Sequence, residues 1–177
     1  MTDVQSIFAA FERAGDRLYG EAVSQTEHAL QCAALAAGEG AAEPLIAAAL
    51  LHDFGHLLGE AAEADAGDAQ DEARGAAALA GLFGPEVTAP IALHVAAKRA
   101  LCVLEPGYSQ ALSPASQDSL ATQGGPFSAA AAARFADGPF AGDAMRLRRW
   151  DDQAKIPGLR VGVLADWRAL LERLARP

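Results

Sequence analysis

Apolar residues in this chain fall into alanine-rich blocks spaced for helix faces, with glycine, proline or serine at the joints between blocks. Runs of valine, isoleucine, tyrosine and threonine, which a pleated sheet favours, are scarce. The pattern predicts an all-α fold. Val4, Ile7, Phe8 and Phe11 share one face of a helix over residues 3–16. Ser24-Gln25-Thr26-Glu27 fits a capping box that opens a second helix. Glu43-Pro44 opens a third, which runs through LIAAALLHDF to Gly55. Residues 59–73 are acidic, rich in small side chains and unpatterned, so they read as a solvated loop. A helix then reaches Phe83 and is stopped by Gly84-Pro85. EVTAPIALHVAAKRALCVLE is helical, with a kink or a start near Pro90. Ser113-Pro114, Ser128 and Ala141 open further helices, and VGVLADWRALLERLA closes the chain. The expected architecture is one domain over residues 1–177, a bundle of about seven or eight helices.

A net charge of −9 argues against a nucleic-acid backbone as partner, because that contact needs clustered Lys and Arg. Basic residues do gather at Lys98-Arg99 and Arg146-Leu147-Arg148-Arg149, a local excess that fits a small anion better than a polymer. Cys32 and Cys102 sit in apolar helical patterns and read as buried reduced thiols. There is no basic leader followed by a long apolar stretch, and no uncharged window of membrane-spanning length; the reading is a soluble, cytoplasmic protein with no membrane partner.

The chain has four histidines, and two of them stand in the stretch His52-Asp53-Phe54-Gly55-His56. Ionisable residues occupy positions that packing would make apolar: His28, His52, Asp53, His56, His94 and Asp151, on four separate helices. Neighbouring helical side chains diverge by about 100°, so His52 and Asp53 face one site only around an ion near a helix end. Two imidazoles and two carboxylates from distant segments suit a catalytic iron, manganese or zinc site with open positions. Lys98 lies one turn after His94 and Arg148 one turn before Asp151, each on the same face as its neighbour, where a cation could hold a phosphate or phosphonate. For Arg146 and Arg149 a solvated basic face is the preferred reading.

The ordered set His28, His52-Asp53, Asp151 resembles the HD-domain superfamily. With His94 and the phrases YGEAV, EHALQCA, LHVAAKRALC and RLRRWDDQAK, nearly the whole chain resembles its mixed-valent diiron branch. That branch contains myo-inositol oxygenase and, closer in running text, the phosphonate-cleaving PhnZ-type oxygenases. The resemblance implies two irons, Fe(II)/Fe(III), held by His28, His52, Asp53, Asp71, His94 and Asp151. It implies Lys98, Ser116 and Arg148 on the phosphonate, and His56 against the substrate. Tyr19 would occupy an iron position before substrate arrives, and Glu21 would recognise a substrate amino group, although Tyr19-Gly20-Glu21 is one residue tighter than the family spacing. The implied reaction is cleavage by O2 of the C–P bond of a small 1-hydroxyphosphonate, such as 2-amino-1-hydroxyethylphosphonate, to phosphate and a carboxylic acid such as glycine.

One departure bears on the second metal. Family members carry histidine in a pattern like His-Glu-Glu-x-Gly-Ala, where this chain has Asp71-Glu72-Ala73-Arg74-Gly75-Ala76. In one reading Asp71 ligates iron, and its charge favours the ferric state. In the other it caps its helix and the second site is weakened. The alternative function is a metal-dependent HD phosphohydrolase acting on a nucleotide or phosphomonoester, its metal acidifying a bound water. A degenerate domain that binds without turnover is the third class.

Overall fold

A computed structural model of the chain describes residues 3–18, 22–59 and 71–176. Ten α-helices and two 3-10 turns account for its regular structure, with no β-strand among the described residues. The helices are α1 (Val4–Ala14), α2 (Gln25–Gly38), α3 (Glu43–Leu51), α4 (Asp71–Leu79), α5 (Pro85–Leu104), α6 (Tyr108–Ala111), α7 (Pro114–Thr122), α8 (Ala129–Ala136), α9 (Ala141–Gln153) and α10 (Arg168–Leu174). The count exceeds the expected seven or eight because the chain also makes short pieces, such as the four residues of α6, that carry no periodic signal of their own.

Local chemistry sets most of the starts. Ser24 Oγ accepts from the Glu27 amide at 3.2 Å while Glu27 Oε2 accepts from the Ser24 amide at 2.8 Å, which completes the capping box of α2. Ser113 and Ser128 cap α7 and α8 in the same manner, through the Ser116 and Ala131 amides. Three expectations change. The third helix stops at Leu51 rather than running to Gly55, and the chain tightens into a 3-10 turn over Phe54–Leu57. The segment expected as loop to residue 73 is already helical from Asp71, while residues 60–70 lie outside the described ones. Finally, the helix start expected at or near Pro90 falls at Pro85, and Pro90 lies inside α5. Pro90 removes one N–H and its ring presses on the preceding turn, but packing on both sides of this long helix outweighs that local cost.

The core forms around α3, whose residues Leu45 to Leu51 are all buried. A helix apolar all round belongs inside a protein. Ile7, Phe8 and Phe11 of α1, Leu79 of α4, Ile91 of α5, Trp150 of α9 and Leu171 of α10 close over it. By length and composition α5 is apolar enough to cross a bilayer, yet here it is a packed helix, lying against α3, α4, α8 and α9.

The junction between the 3-10 turn and α4 is built on two glycines. A Cβ on Gly55 would stand 2.0 Å from the Asp71 carbonyl oxygen, and one on Gly75 would stand 2.8 Å from the Gly55 nitrogen. Backbone meets backbone there, so a methyl group has no soft neighbour to displace. Gly55→Ala is expected to lower stability by about 1–3 kcal/mol, the cost of an overpacked contact, measured as a fall in urea midpoint. It should also loosen the hold on Asp53 and Asp71, which flank this junction.

Candidate active site

His28 stands in the first turns of α2, and its Nδ1 lies 2.8 Å from the Ala154 carbonyl beyond the end of α9. Gln31, one turn on, fastens the same junction: its Nε2 donates to the Ile156 carbonyl at 2.8 Å and its Oε1 accepts from the Ile156 amide at 3.1 Å. His52 is the C-cap of α3, with Nδ1 2.9 Å from the Ala49 carbonyl, and His94 on α5 has Nδ1 2.7 Å from the Ile91 carbonyl. A carbonyl only accepts, so in all three rings Nδ1 carries a proton, and in the neutral ring Nε2 presents a lone pair. A backbone or carboxylate partner behind a ligating imidazole fixes ring and tautomer in this way at metal sites.

The three Nε2 atoms converge on two carboxylates. Asp53 has φ −99° and ψ 18°, off the regular helix, and this break turns its side chain to the same side as that of His52. Its Oδ2 is 3.3 Å from His52 Nε2 and 3.6 Å from His28 Nε2. Its Oδ1 looks the other way, 3.7 Å from His94 Nε2 and 3.9 Å from His56 Nε2. Asp151 on α9 completes the first group, with Oδ1 3.4 Å from His28 Nε2. The carboxylate of Asp53 is thus shared between a His28–His52–Asp151 group and a His94 group.

Electrostatics show what this arrangement lacks. With both rings neutral, His28 Nε2 and His52 Nε2, 3.1 Å apart, would set two lone pairs face to face, and buried Asp53 Oδ2 would have no hydrogen-bond donor; without an ion, a proton on His52 Nε2 has to fill that place. Burial opposes charge on His52, but Asp53 and Asp151 outweigh it and push its pKa up to about 9. Burial would also favour neutral Asp53, yet His52 holds it well below the usual carboxylate range. For His94 burial wins, and its pKa falls to about 4. The first group therefore calls for a positive charge at its centre, and His94 stands beside it as a neutral donor. Two donors each about 2.1 Å from one ion at a right angle are about 3 Å apart, so the separations suit a shared cation. The residues present fit a metal.

Cys32, one turn after His28, brings Sγ to 3.9 Å from His28 Nε2. The donor atoms of His28, Cys32 and His52 all lie within 4.8 Å of one another. Burial raises the Cys32 thiol well above its ordinary range, so it adds no negative charge of its own. Its apolar helical pattern predicted burial but not a place beside the candidate metal ligands; the spacing of four from His28 carried that signal.

Asp71 and His56 sit at the edge of the cluster. His56 Nδ1 is 3.1 Å from Asp71 Oδ2, while Asp71 Oδ1 accepts from Arg74 at 3.2 Å. Tyr19 and Glu21 lie outside the described residues.

A group of cationic side chains adjoins the His–Asp cluster through Arg148, which is buried on α9. Arg148 Nη1 is 2.7 Å from Asp151 Oδ2 and its Nη2 is 3.4 Å from Ser116 Oγ on α7. Burial alone would favour a neutral Asp151; the guanidinium reverses this and holds the carboxyl well below its usual range. Ser116 Oγ also accepts from Lys155 Nζ at 2.8 Å, and Lys98 Nζ donates to Ser119 Oγ at 2.7 Å. Lys98 is only 2% exposed. Three cations and two hydroxyls are thus gathered around α7, of which Lys98, Arg148 and Ser116 were expected. Lys155 and Ser119 were not: Lys155 follows the end of α9 and Ser119 reads as an ordinary helical hydroxyl, although Lys155 is four residues from Asp151 and Ser119 three from Ser116. Arg149 instead pairs with Glu105 at 2.7 Å, and the Arg146 guanidinium lies over Trp150, both apart from this group.

No protein-family model matches the chain. It is 45% identical over 173 residues to the hydroxymethylphosphonate dioxygenase of Gimesia maris, covering 96% of this chain and 86% of that protein. It is 40% identical over 156 residues to the 1-hydroxy-2-(trimethylamino)ethylphosphonate dioxygenase (glycine-betaine-forming) of Leisingera caerulea, covering 86% of this chain and 80% of the relative. An uncharacterized protein of Acanthamoeba polyphaga mimivirus is 32% identical over 176 residues, covering 96% of this chain and 80% of that protein. Identity of this extent, over a chain that gathers His28, His52, Asp53 and Asp151 into one cluster, shows that the protein belongs to the PhnZ-type HD-domain oxygenase family, an enzyme family of dioxygenases.

Proposed function

We propose that the protein is an iron-dependent dioxygenase that cleaves the C–P bond of a small 1-hydroxyphosphonate. The observation that carries this reading is Arg148, whose guanidinium touches the metal-facing carboxylate Asp151 and the cationic group's Ser116 at once. A substrate with an anionic phosphorus group next to an oxidisable carbinol needs those two environments side by side.

In this reading two irons, Fe(II)/Fe(III), are held by His28, His52, Asp53, Asp151 and His94, with Asp53 shared and Asp71 as a further ligand to the second. When bound, they supply one-electron chemistry with O2, which the side chains alone cannot perform. The chain's own residues do the rest. Lys98, Lys155 and Arg148 neutralise the phosphonate, and Ser116 and Ser119 turn their hydroxyl protons toward its oxygens. The Nδ1–H···O=C contacts of His28, His52 and His94 keep those rings fixed while charge at the centre changes. His56, tied to Asp71, lies beside the open side of Asp53, where a substrate hydroxyl proton can be received. The burial of His28, His52 and Asp151 keeps bulk water from the reacting carbon.

The stoichiometry balances as one hydroxyphosphonate and one O2 giving one phosphate and one carboxylic acid. Hydroxymethylphosphonate would yield formate, and 2-amino-1-hydroxyethylphosphonate would yield glycine. The 45% identity to a hydroxymethylphosphonate dioxygenase makes that compound the first to test. The amino compound is the second, since the family resemblance assigns amino-group recognition to Glu21. A hydrolase reading has less support, because the named relatives are dioxygenases.

The test is oxygen uptake by iron-loaded protein on addition of each compound, with phosphate followed in parallel. Equal amounts of oxygen consumed and phosphate released are expected. Phosphate release without oxygen consumption defeats the proposal.

A further inference from the structure

Arg148 is gripped on its far edge by two side chains, those of Asp152 and Tyr108. Its Nε donates to Asp152 Oδ2 at 3.2 Å, and its Nη2 pairs with Asp152 Oδ1. Tyr108, from the short helix α6, donates its hydroxyl to the same Asp152 Oδ2 at 2.5 Å and lies 3.3 Å from Arg148 Nε. Tyr108 is buried, and burial raises its pKa, so it remains a phenol and a donor. Asp152 follows Asp151 directly and lies four residues after Arg148, on the same face of α9.

A guanidinium is a rigid planar fork, so fixing its Nε–Nη2 edge fixes where its other N–H groups point. Asp152 takes that edge with both oxygens, and Tyr108 fixes Asp152. The remaining donors then fall on Asp151 Oδ2 and on Ser116 Oγ. We propose that Asp152 and Tyr108 are a positioning pair that aims Arg148, so that one guanidinium spans the metal ligand and the bound anion. The proposal rests on the phosphonate reading for the identity of that anion.

Electrostatics alone makes the opposite prediction. Asp152 places a negative charge next to a cationic pocket, so neutralising it would tighten anion binding if charge were all that mattered. A purely structural role would lower thermal stability and leave affinity unchanged. The sign of the change in affinity therefore separates the three cases.

The experiment uses iron-loaded protein with inorganic phosphate and methylphosphonate, which has no hydroxyl to oxidise, as calorimetric probes. Asp152→Asn is expected to weaken both by about tenfold at unchanged iron content, as the loss of hydrogen bonds to a charged group implies. Tyr108→Phe should weaken them by about two- to threefold. With hydroxymethylphosphonate as substrate, KM should rise more than kcat falls. In an Arg148→Lys background, which has no fork to aim, Asp152→Asn should change affinity by less than about twofold. Unchanged or tighter binding in Asp152→Asn and Tyr108→Phe overturns the proposal, whatever their melting temperatures. If Asp152→Asn does not fold, Tyr108→Phe decides by the same criterion. If wild type binds neither probe and Arg148→Ala behaves like wild type, the anion pocket itself is disproved, and the positioning role falls with it.

Discussion

Under the two-iron function proposed above, Asp53→Ala protein is expected to purify folded but to hold neither iron tightly, and to release no phosphate from a hydroxyphosphonate. The reason is geometric. One carboxylate serves two groups of imidazoles, with Oδ2 toward His28 and His52 and Oδ1 toward His94 and His56. In that reading, losing it removes a ligand from each. Loss of an outer partner of a ligand costs about 10–100-fold in metal affinity, and loss of a shared ligand should cost at least the upper end of that range. Iron per chain after desalting measures the effect. His94→Ala provides the contrast, because it touches one group only and should halve the iron. If Asp53→Ala retains two irons per chain, the shared-carboxylate arrangement is wrong.

Arg148→Met is expected to have the second largest effect, and to show it in two separate measurements. In iron-free protein, Met leaves the buried Asp151 carboxylate facing an apolar group of similar length. Breaking a buried pair on one side costs about 3–5 kcal/mol, read as a lower midpoint in urea. In iron-loaded protein part of that loss is recovered, since a metal bound to Asp151 supplies the missing charge. Turnover of a hydroxyphosphonate should still fall by about 100-fold or more, as the anion loses its orientation over the metals. Arg148→Lys separates charge from shape: it should keep most of the stability and lose most of the turnover. Full activity in the lysine variant would mean that the fork has no part in the chemistry.

The helix starts were legible in the sequence because caps are local. Ser24, Pro44, Ser113 and Ser128 each act on the next turn, and the structure has helices where those residues predict them. The end of α3 was not, since Phe54 and Leu57 extend the apolar pattern into the 3-10 turn. Pro90 predicted a kink or a start, but the helix already begins at Pro85, and Ile91, Ala97 and Leu101 beyond the proline are buried in the same packed helix. The convergence of His28, His52, Asp53, His94 and Asp151 was legible because a polar side chain carried inward by an apolar block needs a partner there, and these residues are partners for one another. Lys155 and Tyr108 were hidden for the opposite reason: a lysine past a helix end and a tyrosine in a four-residue helix resemble ordinary surface and loop residues. Only the approach of Ser116 and Asp152 gives them a place.

His94 and Lys98 stand on one rigid shaft, α5, a turn apart and both buried. Four residues of helix advance about 6 Å, and that spacing cannot stretch. For the substrate class proposed above, α5 would act as a ruler, gauging how far the carbon to be oxidised lies from the phosphorus. A compound carrying its hydroxyl one carbon further along would bring the wrong carbon to the metals. Regiochemistry would then be written into the pitch of a helix, and no exchange of side chains at the pocket rim would rewrite it.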